Sequence, residues 1–385
     1  MSIEHRRDTT ARVRAVSAAT AAFLLLVLTA SPAAALPRPR AEEWWFATWR
    51  ITDGVWPTAR GQGVTVAVVD GGVEAHLPDL QGVVLDGAGW DAPGDHHADE
   101  GRADEGHGTA MAGLIAAQGR GSGMVGVAPE AKILPLRAGA TGLGPALRYA
   151  ADHGAKVISI SRAGPGACPA ALQKDVTYAV RKDAIVVAGP GGGTGDDDLR
   201  WPANCAGVLA VGAVDHRSGV WPGTSPGTNV MAAAPGPGVS SVRGNGTIGA
   251  PGEASAATAL ASGAVALVRS RFPRMSGRQI VQRLLATAKD VGPAGWDKRT
   301  GNGLLAPHQA ITSNVPADAP NPTYERLDRL ESGGYSAPKA LATRPQAHTP
   351  KNESSAFPLL SATLGLIAVL TVAALFILRN RAANR

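Results

Sequence analysis

Five short β-rich runs, at residues 64–69, 133–136, 157–160, 185–188 and 208–214, show no alternation of apolar and polar side chains. A strand with one wet face alternates, so runs like these are built to be covered on both faces. Helical patterns separate them at 110–117, 146–153 and 171–181. Two more follow at 255–271 and 277–289, the last led by Ser276 as an N-cap. Strands and helices in this order predict a three-layer α/β fold, a mainly parallel central sheet between helices. In such sheets ligands and chemistry collect at the carboxyl ends of the strands.

The composition suits that arrangement. The 385 residues are 44% hydrophobic but only 4% aromatic, with 48 Gly and 28 Pro, so the interior must be Ala, Val, Leu and Ile packed on closely spaced backbone. The net charge of +6 comes from Lys and Arg scattered over both ends, the helices and the tail, a dispersed surface rather than a nucleic-acid footprint. The glycines at 189–193 are not followed by Gly-Lys-Ser/Thr, which argues against a phosphate loop. Asp95, His96, His97, Asp99, Glu100, Asp104 and Glu105 share one loop without a ligand spacing, and Asp196, Asp197 and Asp198 read likewise as a solvated acidic loop. Neither a metal nor a cofactor is expected.

Both ends carry membrane signals. Arg6, Arg7, Arg12 and Arg14 precede the apolar run 21–28, and Ala33, Ala34 and Ala35 offer small side chains to a signal peptidase, so residues 1–35 read as a cleaved signal peptide. Residues 357–378 form an almost uncharged apolar stretch, long enough for one transmembrane helix across a ~30 Å hydrocarbon layer. Arg379, Arg381 and Arg385 follow at once. Positive residues stay on the cytoplasmic side, which predicts a single-pass cell-membrane protein with an extracytoplasmic domain and a cytoplasmic tail at 379–385.

Between the ends, residues 36–62 with Trp44, Trp45, Trp49 and Trp56 read as an aromatic lead-in that packs across a main domain at 63–311. Residues 312–356 lose the periodicity and gain Pro316, Pro320, Pro322, Pro338, Pro345 and Pro350, which predicts an extended tether. Cys168 and Cys205 both fall in the segment expected outside the cell, where a disulfide persists; two buried free thiols are the alternative.

Three residues carry the chemistry. Asp70 closes the first strand before Gly71 and Gly72, at the edge where a carboxylate can bond one imidazole nitrogen and fix its tautomer. Alone, it is equally a turn residue. His107 stands between Gly106 and Gly108 just ahead of a helix, accessible as a general base near neutral pH must be. Ser255 falls in the first turn of the helix 255–271, where free N–H groups and the positive helix end favour developing negative charge. Alone, a Ser there is more often a cap.

Together these stretches resemble the subtilisin-like serine protease family, which has the same chain order of Asp, His and Ser. The resemblance runs over roughly residues 61–311. VAVVDGGV around Asp70 is similar to the family's Asp motif, GHGTAMAGLIAA around His107 to its His motif, and GSGMVGVAPEAKILPLRA to the segment after it. KVISISRAGPG looks like the strand whose edge pairs with peptide substrates, and TGNGLLAPHQAI like the closing segment. The resemblance implies that Asp70, His107 and Ser255 are catalytic and act on a peptide or protein without a cofactor. The layout of signal peptide, Trp-containing lead-in, Cys168 and Cys205, Pro-rich tether and terminal span resembles the mycosins within that family. These are membrane-anchored proteases associated with type VII secretion in actinobacteria, which implies a membrane secretion complex as a partner.

Three departures bear on activity. The family's nucleophile lies in Gly-Thr-Ser-x-Ala-x-Pro; here Glu253-Ala254-Ser255-Ala256-Ala257-Thr258-Ala259 keeps the Ser and loses the Gly, Thr and Pro. Gly192 stands where the family's oxyanion Asn is expected, and Asn204 and Asn245 are the candidates to replace it from other loops. Arg162 and Ala163 replace a Leu and a Gly on the substrate edge, which either favours acidic residues near the scissile bond or leaves Arg162 facing solvent. Two functions stay open: a serine endopeptidase weakened by the missing donor, and a catalytically inactive homologue acting as a scaffold or binding subunit of a secretion complex.

Overall fold

The computed structural model describes residues 37–90, 106–192 and 200–333. The chain divides into two units, Met1–Pro338 and Lys339–Arg385, and every described residue lies in the first. The expected signal peptide at 1–35, the span at 357–378, the tail at 379–385 and the acidic clusters at 95–105 and 196–198 lie outside the described residues. No helix among the described residues is long and apolar enough to cross a membrane.

The strands are β1 (Thr65–Asp70), β2 (Ala88–Gly89), β3 (Lys132–Arg137), β4 (Val157–Ile160), β5 (Gly164–Pro165), β6 (Ile185–Ala188), β7 (Arg200–Trp201), β8 (Val208–Val214), β9 (Val230–Pro235), β10 (Ser241–Val242) and β11 (Ile248–Gly249). Seven of them make one parallel sheet in the order β2-β3-β1-β4-β6-β8-β9. Central β1 places Val66 opposite Ile133 on one side and Val157 on the other. Alternate side chains enter opposite cores: Val66 and Val68 join one cluster, Ala67 and Val69 the other. Both faces are therefore dry, which is why the runs lack polar alternation. Strand β9 escapes the β-propensity pattern because its VMAAAP sequence is mostly Ala, a poor strand former that serves here because it is buried throughout.

The helices are α1 (Trp45–Thr48), α2 (His107–Ala116), α3 (Leu143–Asp152), α4 (Ala170–Arg181), α5 (Glu253–Arg271), α6 (Gly277–Ala286), α7 (Pro307–Thr312) and α8 (Pro322–Glu331). Helices α3 and α4 cover one face; α2, α5 and α6 cover the other with the lead-in. Helix α5 is buried from Ala256 to Ser270, as expected of a helix apolar on all sides. Ser276 caps α6 in a reciprocal capping box with Gln279.

The stretch 312–356, expected to be an extended tether, instead contains α8. Pro322 sits in its first turn, where a missing N–H costs nothing. Tyr324 and Leu327, three residues apart, are buried in the core. The Arg278 guanidinium lies 4.8 Å above the Tyr324 ring and donates to both oxygens of Asp328, at 2.8 and 3.0 Å. Burial raises the Tyr324 hydroxyl pKa well above its ordinary value. Apolar burial thus outweighs the breaker signal of the prolines.

The lead-in is held by Trp45, Phe46, Trp49 and Trp56, all buried, and by a hydrogen bond of 2.8 Å from Trp56 Nε1 to the Val127 carbonyl. Its one buried carboxylate, among the described residues, is Glu43, 2% exposed, which accepts N–H groups from Arg40 at 2.7 Å and Val125 at 2.9 Å. Burial lifts its pKa from 4.5 to about 7 against the pull of those two bonds. The folded chain therefore holds the Glu43 proton through a window in which the unfolded chain has released it. That stabilisation is complete below about pH 4.5 and is lost as pH rises through about 7. Across this window the wild-type chain should lose up to about 3 kcal/mol of stability relative to Glu43→Gln, read from urea unfolding at each pH. Parallel pH profiles for the two proteins would contradict this.

Candidate active site

Asp70 is the last residue of β1, 1% exposed, and its Oδ1 accepts the Gly71 N–H at 2.8 Å. His107 is the first residue of α2, and its Nδ1 lies 2.9 Å from Asp70 Oδ1 and 3.0 Å from Oδ2. An ionised carboxylate only accepts, so this pairing assigns the ring proton to Nδ1 and leaves Nε2 as the basic nitrogen. The ring is 23% exposed and so reaches the surface.

Local sequence explains the pairing. Gly106 takes φ 81°, a left-handed entry into α2 that favours glycine. A side chain at residue 108 would collide with the Gly72 carbonyl oxygen in the turn that follows Asp70. Thr109 Oγ1 accepts the Glu74 N–H at 2.9 Å. The start of α2 and the end of β1 are thus locked together through backbone.

Ser255 is the third residue of α5 and half-buried. It does not cap the helix; Gly252 does, at φ 103° and without a side-chain bond. The Ala256 N–H bonds the Gly252 carbonyl at 2.9 Å, which leaves the N–H groups of Glu253, Ala254 and Ser255 without helical acceptors. This turn lies against two strand ends. A Cβ on Gly189, just past β6, would sit 3.2 Å from the Ala254 carbonyl oxygen and 2.7 Å from Thr258 Oγ1. One on Gly236, just past β9, would sit 2.5 Å from the Glu253 carbonyl oxygen. The positive end of α5 is therefore set at the same carboxyl edge as Asp70 and His107. Thr258 and Ser262 donate to carbonyls one turn back, each at 2.8 Å, so these hydroxyls of the buried helix are satisfied. Glu253 is exposed, and its charge is solvated.

Gly192 is exposed and bridges Thr224. A Cβ there would meet nothing nearer than the Gly223 carbonyl oxygen at 3.7 Å and Trp221 Cη2 at 3.8 Å. Asn204 donates its amide to the Gly166 carbonyl at 2.9 Å, and Asn245 sits in the β10–β11 turn, where its oxygen accepts from Thr247. Cys168 and Cys205 are bonded, with Cα atoms 5.1 Å apart. Among the described residues, no group of three or more His, Cys, Asp or Glu side chains could hold a metal ion. The close-approach positions Gly189 and Gly236 have one signal in sequence, a Gly directly after a buried β run. Arg200, whose stem lies against Gly191, has none.

Residues 61–303 match the Peptidase_S8, or Subtilase, family. Mycosin-4 of Mycobacterium tuberculosis (strain ATCC 25618 / H37Rv) is 33% identical over 76% of this chain and 75% of its own length. Fervidolysin of Fervidobacterium pennivorans is 30% identical over 78% of this chain, which spans about half of that protein, 48% of its length. Among solved structures, the serine protease MycP1, described as an essential component of the type VII (ESX-1) secretion system, superposes with a TM-score of 0.62 at 28% identity, covering 74% of this chain and 91% of that one.

The contact at residue 108 gives a direct check. Gly108→Ala must push the Asp70 turn away from α2 and should lower stability by about 1–3 kcal/mol. Gly192→Ala, in open space, should stay within about 0.5 kcal/mol of wild type. Equal melting temperatures for the two variants would refute the assignment of residue 108 as a backbone lock.

Proposed function

The chain belongs to the subtilase family, and on that premise we propose that it is a membrane-anchored, extracytoplasmic serine endopeptidase of the mycosin type that works slowly. It is a subtilisin-like serine protease related to the mycosins of type VII secretion. The observation that carries the activity is the pairing of His107 Nδ1 with both oxygens of the buried Asp70, on the same sheet edge as the open N-terminus of α5.

Asp70 holds the imidazole tautomer and stabilises the imidazolium. Nε2 of His107 takes the proton of Ser255, whose oxygen attacks the peptide carbonyl and forms an acyl-enzyme; the imidazolium then protonates the leaving amine. The developing oxyanion meets the Ser255 N–H and the positive end of α5. At Gly192 no side chain can donate. Loss of such a donor costs about a factor of 10² to 10³ in turnover, or about 3 to 4 kcal/mol. Gly192 is also the observation that favours the second reading, an inactive homologue retained as a scaffold or binding subunit.

The anchor is supported by the apolar stretch at 357–378 with its trailing arginines, and the outside location by the leader at 1–35 and the Cys168–Cys205 bond. Association with a type VII secretion complex is supported by the kinship with mycosin-4 and MycP1. Fractionation tests the anchor: the full chain should sediment with membranes and a chain ending before residue 357 should not.

Reaction with a fluorophosphonate probe tests the chemistry. The intact chain should label slowly and Ser255→Ala not at all, whereas Gly192→Asn, which the open space at residue 192 admits, should turn over peptide about 10²-fold faster. Labelling no stronger than in Ser255→Ala, in both the intact chain and Gly192→Asn, would leave the scaffold reading standing.

A further inference from the structure

The wall beside Gly192 is basic. Strand β7 pairs antiparallel with β5, Trp201 opposite Gly164 and Arg200 opposite Pro165. The Trp201 ring fills the space a side chain at Gly164 would occupy, and its Nε1 donates to the Pro165 carbonyl at 3.1 Å. Successive residues of a strand face opposite ways, so Arg200 turns from Trp201's side toward Gly191. A Cβ on Gly191 would lie 2.7 Å from Arg200 Cδ, 3.4 Å from its Nε and 3.4 Å from the Ala163 Cβ. The stem of Arg200 thus runs between two segments leaving the sheet, 161–163 beyond β4 and 189–192 beyond β6. The second touches the first turn of α5 at Gly189 and carries Gly192; the first carries the half-buried Arg162. The Cys168–Cys205 bond and the Asn204 amide on the Gly166 carbonyl fasten the ends of β5 and β7 and keep this wall in place.

If Ser255 attacks a peptide carbonyl, the crevice between these segments receives the side chain of the residue that supplies it. Resting on that endopeptidase reading, we infer that Arg200 selects substrates carrying Asp or Glu on the acyl side of the bond that is cut. A guanidinium offers five N–H donors in a planar fork that matches a carboxylate, so a contact it already makes leaves donors for a substrate. Its half-buried position weakens screening of that pair.

The test is made on the full Ser255→Ala chain in detergent, so that it does not depend on turnover. Fluorescent N-acyl tetrapeptides ending in Glu or Gln, the products such a cleavage releases, are titrated by anisotropy. The Glu peptide should bind at least tenfold tighter. That preference should fall below threefold when Arg200→Gln is added, persist in part with Arg200→Lys, and shrink as salt rises. Equal binding of the two peptides, including no measurable binding of either, overturns the inference, as does a Glu preference untouched by Arg200→Gln. Failure of the endopeptidase reading shows separately, as the absence of Ser255-dependent probe labelling in the intact chain.

Discussion

A parallel sheet buried on both faces leaves its edge as the place for chemistry, and here that edge is set by how closely backbone approaches backbone. Helix α2 can begin against the turn after Asp70 because residue 108 has no side chain. The first turn of α5 can lie on the ends of β6 and β9 because residues 189 and 236 have none. These contacts act at distances where a single methyl group would force a shift, so they position groups far more sharply than apolar packing at a distance does. Asp70, His107 and the first turn of α5 come from elements widely separated in the chain, and this set of close approaches holds them along one edge.

The same logic runs through α5 itself. Its sequence is dominated by Ala, Ser and Gly, which lets it pass beneath the sheet and against α2 while buried along almost its whole length. Gly263 has no room for a methyl group beside Val127. A central helix of large side chains would stand farther from the strands, and its N-terminus would leave the edge. The scarcity of aromatics in the composition and the reach of Ser255 are thus one physical fact, with the aromatic mass kept for the lead-in that closes the outer side of the core.

Stability and rate are separable at this site. A donor side chain at residue 192 would act only when negative charge develops, and Gly192 in its place disturbs no packing. The architecture therefore does not depend on whether residue 192 carries a donor. The carboxylate of Asp70 is different: buried, bonded to the Gly71 N–H and facing His107, it belongs to the folded framework and to the proposed chemistry at once.

Much of this was legible in the chain itself. The doubly covered strands, the helices between them, the capping role of Ser276 and the motifs around Asp70, His107 and Ser255 are written in local pattern, because burial on two faces and helix entry each impose a residue-by-residue signature. Helix α8 was obscured because its prolines read as a linker, and only contact with the core rewards burying Tyr324 and Leu327. β9 was hidden because Ala carries little strand preference of its own. The sequence by itself determined the α/β class, the family and the motifs around Asp70, His107 and Ser255. Tertiary structure alone decided that Asp70 meets His107 through Nδ1, that the positive end of α5 lies on the ends of β6 and β9, and that Arg200 lies against Gly191. Those relations join residues far apart in the chain, and local pattern carries no distance between them.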